Sequence, residues 1–509
     1  MHTVRLLLNT TKYDEYIIDK RFHALSHIHN VMVKRARKLL IKLKHDKVYQ
    51  AYLSEYKELA KKLAENKKST KSEKARKKVL STLMSDIRLK MGLSEYGFHS
   101  YIKVCAKQYK KCLSSLQVQK EATRVWRGAE KVVFGEGKEL HFKKFMDFNT
   151  ISGKNNTNGV KFEKSTLSIE WLGLYISCKL PKKATDVDYL HEALSSDVAY
   201  CEIERKMFPN GWHYYVVVYL KDDAPCKIRE LGNNLMGIDP GTSTIAGYSD
   251  TKAVLAELAP DCKKYNKQIE KLSCKLDNSK RATNPNKYNP DGTIKRGNYD
   301  KWVFSKTYLK NRQKLKYLYR KKAAYTKQSH EELCNELLTD SNIFIIEAMN
   351  YKGLQRKSKN VERSDKISDI KQKDGSIKQI RKFKRKKRFG RSLNNRAPAM
   401  FLTILKRKAI LYGGQVYKIN TQTFKASQYD HITDTYTKVP LSQRDKYVGN
   451  HKVQRDLYSA FLIRNTDNDL EHPDRDKCIC GFDRFLELQS ELINDMMTNS
   501  ISMEQCFGF

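Results

Sequence analysis

The apolar positions change their period three times along the chain. "HTVRLLL" (2–8) alternates like a strand and is expected to join a sheet formed later. From about Lys20 the period turns helical, with Phe22, Leu25, Ile28, Val31 and Met32 spaced to form one buried face. Lys- and Arg-rich helices are expected to continue to about Lys131, with "ENKKSTKSEK" (65–74) as a linker between two of them. The first proline is Pro181, consistent with a helical front third. Between about Val132 and Asp223 the pattern is that of strands. "STLSIEWLGLYISCKL" (165–180) and "WHYYVVVYL" (212–220) are rich in aromatic and β-branched residues and bounded by turns such as "FPNG". These strands predict a small antiparallel barrel or sandwich that the first strand completes.

"LKDDAPCKIRELGNN" (220–234) then connects to a second domain, which opens with "LMGIDPGTSTIAGYSD" (235–250). Strand signals at "TIAGYSD" and "AVLAEL" continue it as a three-strand meander. Pro260 to Thr339 is charged and Tyr-rich, with helical arms around a polar loop. In "NIFIIEAMNYKGLQRK" the run Ile343, Phe344, Ile345, Ile346 marks a strand buried on both faces, and Glu347 ends it. A helix over about 397–411, Gly413-Gly414 and the strand "QVYKIN" follow, and the helix in "KVQRDLYSAFLIRN" carries Asp456 near its start. The class is α+β with several domains.

Charge narrows the function. The chain has 98 Lys and Arg against 57 Asp and Glu, a formal charge of +41. Such a field repels itself and draws polyanions, with nucleic acid foremost and a membrane surface the weaker candidate. Lys352 to Arg396 is the most basic stretch, with 18 basic against 4 acidic residues. It is expected to be a mobile loop touching phosphate through Lys382, Lys384, Arg385, Lys386, Lys387, Arg388, Arg391 and Arg396. Aromatics among lysines in "HFKKFMDF" (141–148) suit either base stacking or core packing. No apolar run approaches bilayer length, and three consecutive leucines near the start are too few for a signal-peptide core. Eleven irregularly spaced cysteines point to reduced thiols in a cytoplasm-like compartment.

Three carboxylates stand beside apolar sequence: Asp239, Glu347 and Asp456. Taken singly, Asp239 is explained as a turn residue, Glu347 as an ion-pair partner and Asp456 as an acid at a helix N-terminus. Jointly, in a chain this basic, they suit two Mg²⁺ ions that hold the attacking and leaving oxygens of a phosphodiester.

"GIDPG", "IIEAMNYKGL" and "RDLYSAFLI", in this order, resemble the three RuvC motifs of the transposon-encoded TnpB nucleases and of their descendants, the miniature type V CRISPR effectors. "RFGRSLNNRAPAMFLTILKRKAILYGGQVYKIN" resembles that family's link after the second motif. The resemblance implies an RNA-guided DNA endonuclease in which Asp239, Glu347 and Asp456 are the catalytic, Mg²⁺-binding acids. It also implies a guide RNA, a double-stranded DNA target with a short flanking motif, one or two protein copies per guide, and a prokaryotic, nucleoid-associated setting. The implied organisation is a wedge-domain strand (1–20), a helical recognition lobe (21–131), a β-barrel wedge domain (132–230) and an RNase H-like α/β nuclease domain (231–425). The last carries a helical insertion (260–339) and the basic loop (352–396). A zinc-finger-like segment (426–452), the last nuclease helix (453–475) and a tail (476–509) complete it. The family's four-cysteine zinc finger has no cysteine here, so no structural zinc is expected. Tyr429, Tyr436, Val439 and Leu441 would pack in its place. Tyr458 stands where the family commonly has Asn. A guide-dependent DNA-binding protein without cleavage is the alternative, and a plain ribonucleoprotein component the third.

Overall fold

The computed structural model describes the chain except residues 66–69, 227–229, 296, 356–362, 372–375, 384–389, 439, 441–442 and 500–509. The chain divides into two compact units, Met1–Cys226 and Lys227–Phe509.

The first unit begins with β1 (His2–Leu8) and continues through helices α1 (Lys12–His45), α2 (Lys47–Glu65), α3 (Lys71–Lys90), α4 (Glu95–Ala106) and α5 (Ser115–Val133). Strands β2 (Thr150–Ser152), β3 (Val160–Glu163), β4 (Ser168–Trp171) and β5 (Leu174–Lys179) follow, then α6 (Ala184–Ala193), β6 (Val198–Phe208) and β7 (Gly211–Leu220). The sheet order is β2-β6-β7-β1-β5-β4-β3, every pair antiparallel. The alternation in β1 buries Val4, Leu6 and Leu8, and register sets Val4 beside Val218 and Leu6 beside Val216. The sheet curls into a half-barrel and does not close. Its edges are the short β2 and β3, which do not pair with each other. Helix α1 starts at Lys12, ahead of the expected Lys20. The reason is a capping box: the Thr11 hydroxyl accepts from the Asp14 amide at 3.2 Å, and the Asp14 carboxylate accepts from the Thr11 amide at 2.8 Å.

Arg205 holds this unit's core together. Its side chain is fully buried, with the guanidinium 4.3, 4.2 and 4.5 Å from the ring centroids of Phe22, Phe145 and Trp212. It donates to Asp19 at 2.8 Å and to the carbonyls of Phe148 and Phe145 at 3.0 and 2.7 Å. In "HFKKFMDF", Phe148 is therefore core and Phe145 stacks on His23 at 3.4 Å, while Phe142 stays exposed.

The second unit opens with β8 (Asn234–Pro240), β9 (Thr244–Tyr248) and β10 (Ala253–Glu257), followed by the helical arms α7 (Cys262–Thr283) and α8 (Lys306–Asp340). Next come β11 (Ser341–Glu347), α9 (Tyr351–Leu354), the hairpin β12 (Arg363–Lys371) and β13 (Ile377–Phe383), α10 (Gly390–Arg396), α11 (Pro398–Leu411) and β14 (Gln415–Ile419). The chain ends through α12 (Thr421–Phe424), the two-residue strands β15 (Tyr429–Asp430) and β16 (Thr435–Tyr436), β17 (Asp445–Val448), β18 (His451–Gln454), α13 (Arg455–Arg464) and α14 (Arg475–Thr498). The main sheet runs β10-β9-β8-β11-β14, with β8, β11 and β14 parallel. Its faces separate by sequence parity. Met236, Ile238, Phe344 and Ile346 pack with Leu337, Leu338, Phe401 and Leu405 of α8 and α11. Ile345, Ala246 and Tyr248 pack with Leu457, Ala460 and Phe461 of α13 and Phe485 of α14. The basic stretch expected as a loop carries an antiparallel hairpin instead, β12 with β13. Among the described residues no helix is long and apolar enough to cross a membrane.

Candidate functional site

Asp239 and Glu347 meet because two parallel strands end together. Ile238 of β8 pairs with Ile346 of β11, so the residues that follow each stand side by side at the C-terminal ends of the strands, where open α/β sheets bind ligands. Parity places both acids on the face that carries α13. The third acid arrives through a bare position on β8. A Cβ on Gly237 would lie 2.2 Å from the Ala460 carbonyl oxygen and 2.3 Å from the Arg464 amide, so α13 rests directly on the strand backbone. Asp456 lies one helical turn before Ala460, and Asp239 lies two strand residues beyond Gly237. These offsets are about 6.0 Å and 6.6 Å, and the charge of Asp456 is felt at Asp239.

The electrostatics of the three acids follow from that packing. Asp239 and Glu347 share a carboxyl–carboxyl hydrogen bond. Burial raises the Asp239 pKa well above its ordinary value, and the charges of Glu347 and Asp456 push it the same way against a smaller pull from Arg455. Glu347 is raised by burial and relieved by the proton that Asp239 donates. Asp456 is held differently. Its carboxylate accepts from Arg444 at 3.1 Å and from Arg455 at 2.9 and 3.2 Å. The Tyr351 hydroxyl donates toward the carbonyls of Pro240 and Gly241, both at 3.3 Å, and steadies the turn after Asp239.

Hard carboxylate oxygens in a half-buried cleft are the donor type that Mg²⁺ takes, and a divalent cation would remove the repulsion that protonates Asp239. The residues therefore fit the ion in kind. Among the described residues no group of three or more His, Cys, Asp or Glu is arranged to hold a metal, and Asp456 is paired with Arg444 and Arg455.

The raised Asp239 and Glu347 carboxyls predict a stability that depends on pH. Both have folded-state values above their ordinary 3.8 and 4.5, so in the window upward from there the folded state binds more protons than the unfolded state. Stability then falls as pH rises through that window. With chelator present, wild type is expected to lose thermal stability relative to Asp239→Asn as pH rises above the ordinary carboxyl range, and Mg²⁺ is expected to cancel the loss. A difference that is flat with pH and indifferent to Mg²⁺ would refute the shared-proton pair. Gly237→Ala is expected to cost about 1–3 kcal/mol or more in urea unfolding, because the added methyl strikes helix backbone. An unchanged midpoint would mean that α13 is not seated there.

The basic candidates separate. Arg396 is buried, donating to the Leu258 carbonyl at 2.9 Å, the Ala259 carbonyl and the Glu257 carboxylate. It anchors α10 to the end of β10 and is not a phosphate contact, which corrects the sequence expectation. Lys382 lies in β13 and Arg391 in α10. Lys384, Arg385, Lys386, Lys387 and Arg388 lie outside the described residues.

The cysteine-free segment before α13 is tied to the site. Tyr429 is core, whereas Tyr436 is exposed and meets it at 4.9 Å between ring centroids; Val439 and Leu441 lie outside the described residues. His431 Nδ1 lies 2.8 Å from the Tyr458 hydroxyl, so Tyr458 fills the core beneath this segment. Lys446 donates to the Tyr429 carbonyl at 2.7 Å. Arg444, just ahead of β17, reaches back to Asp456. Sequence reasoning missed Gly237, Arg444, Arg455 and Tyr351. Only Gly237 carried a signal, a glycine inside a buried strand.

No protein-family model and no curated protein matches the chain. Among solved structures, the chain is similar to one described as "Cryo-EM structure of the Cas12f1-sgRNA-target DNA complex", at 11% identity and TM-score 0.42, covering 91% of this chain and 98% of that one. A second, "Cryo-EM structure of CRISPR-Cas12f Ternary Complex", aligns at 11% identity and TM-score 0.27, covering 92% and 99%. Both neighbours are of the miniature type V kind that the three sequence motifs resemble, and at these scores any function must rest on the site's own geometry.

Proposed function

We propose that this chain is an RNA-guided DNA endonuclease whose cleavage site is formed by Asp239, Glu347 and Asp456. The observation that supports this reading is that Asp239 and Glu347 follow paired residues at the ends of two parallel strands and that Asp239 feels the charges of both Glu347 and Asp456, in a chain of charge +41. A polycation gains nothing in phosphate binding from three acids drawn together; metal-assisted hydrolysis needs them. Two Mg²⁺ ions, when bound, would activate the attacking water and neutralise the leaving 3′ oxygen. The chain's own residues position the reaction. Asp239 and Glu347 stand on strand ends fixed by the sheet, and Arg444 and Arg455 hold the Asp456 side chain by hydrogen bonds. A guide RNA would select the DNA by pairing, with a flanking motif read by protein, as the motif resemblance implies. The setting would be prokaryotic and nucleoid-associated.

One observation favours the second reading, guide-dependent DNA binding without cleavage: Asp456 already has two arginine partners. The test is to purify the protein with its bound RNA, sequence that RNA, and present duplex DNA that matches it. Cutting in Mg²⁺ but not in chelator supports the nuclease. Binding without cutting in either condition sinks it and leaves the binder. Affinity should also fall steeply with salt, as counterion release requires.

A further inference from the structure

The helices of the first unit enclose a groove that the cleavage chemistry does not use. It lies among the second half of α1, α2, α3 and the chain after α5, with a volume of about 740 Å³. Buried Leu43, Tyr49 and Met84 form its floor. Ile41 and Phe134 line it while remaining 59% and 62% exposed, unusual for residues of their size. The walls are basic: Arg37, Lys44, Lys57, Arg88 and Lys138, against the single acid Glu139, which lies 3.8 Å from Arg37. The Arg88 guanidinium sits 5.4 Å from the Phe134 ring centroid and donates to the Tyr49 hydroxyl at 3.4 Å, so it presents one planar cation to the cavity edge. Lys34, Arg35, Arg37, Lys38, Lys42 and Lys44 continue the positive charge along α1.

An apolar floor, an exposed aromatic edge and a cationic rim suit an unpaired nucleotide, whose base is flat and apolar and whose phosphates are anionic. We propose that this groove takes a splayed-out base from a single-stranded loop or bulge of an RNA, with Phe134 stacking on the base and the rim cations meeting the flanking phosphates. Its dimensions favour this occupant. The volume is that of a small-ligand pocket, too compact for an amphipathic partner helix that needs several turns of groove. A row of stacking platforms would suit continuous single-stranded DNA, whereas one pocket suits a base turned out of a folded RNA. The proposal shares the RNA partner with the proposed function but does not depend on the acid site.

The test uses the full chain, a fluorescein-labelled 12-nucleotide single-stranded RNA, the same sequence as DNA, and the RNA as duplex, without Mg²⁺ or target DNA. Phe134 is exposed at the end of α5, so its substitution leaves the core intact. Single-stranded RNA is expected to bind tighter than duplex. Phe134→Ala is expected to weaken that binding roughly 10-fold, the order of one lost base–aromatic stack, and Phe134→Trp to keep it. A 4-thiouridine version of the RNA is expected to crosslink within residues 132–140. Unchanged RNA affinity in Phe134→Ala, equal binding of the DNA strand, or crosslinks confined to other segments would each overturn the proposal. So would an altered sedimentation of Phe134→Ala with RNA affinity intact, which would assign the groove to a protein partner. Because no cleavage is measured, failure here leaves the test of Asp239 untouched.

Discussion

Asp239→Ala is expected to reduce Mg²⁺-dependent DNA cleavage by on the order of 10³-fold or more while leaving RNA-dependent DNA binding within a few-fold of wild type. The size follows from its position. Burial raises Asp239 and the charges of both other acids push it the same way, so its carboxylate form depends on a cation. Asp239→Asn keeps the shape and a hydrogen-bonding oxygen but cannot carry the charge, so it should be nearly as inactive. It should nevertheless be more stable than wild type in chelator above the ordinary carboxyl range, because it relieves the repulsion with Glu347 and Asp456. Loss of activity together with gain of metal-free stability distinguishes a charged functional site from a structural turn. If cleavage survives either substitution, the carboxylates are not the hydrolytic site. If both variants unfold, Asp239 is a structural residue and the assignment fails equally.

The largest expected effect on stability lies in the other unit. Arg205→Met is expected to lower its unfolding free energy by about 2–6 kcal/mol, because two carbonyls that accept from the buried guanidinium lose their donor at about 1–3 kcal/mol each, while the partly exposed Asp19 adds little. Methionine fills much of the volume but leaves Asp19 without its cation and two carbonyls without a donor. It also abandons three rings packed about one guanidinium. Arg205→Lys should recover only part of the loss, because an ammonium cannot lie flat among three rings while donating in three directions. Denaturant unfolding of the full chain, followed by tryptophan fluorescence near Trp212, measures it. A loss under about 1 kcal/mol in Arg205→Met would show that the cluster is not the keystone of this core.

How far the fold was legible varies with the range of the interaction involved. The alternation of β1 was plain in "HTVRLLL", and the continuous apolar run Ile343 to Ile346 marked a strand that packs on both faces of its sheet. The start of α1 was legible too, in Thr11-x-x-Asp14, although apolar spacing alone placed it later. Sheet closure was not legible, because a strand's own pattern does not say whether the two edge strands meet. Nor was the fate of Arg396. Its neighbours in sequence are basic and polar, and its partners Glu257, Leu258 and Ala259 lie more than a hundred residues earlier. A guanidinium in a basic run looks like a phosphate contact until tertiary packing buries it.

By itself the sequence determined the +41 charge and the ends of two buried strands where Asp239 and Glu347 stand. Both are local properties, summed over composition or carried by a period of two. Only the tertiary structure decided that Ile238 lies beside Ile346, that α13 lands on Gly237, and that Arg444 closes on Asp456. Strand register and helix seating are chosen by contacts between segments far apart in the chain, and no local pattern encodes them.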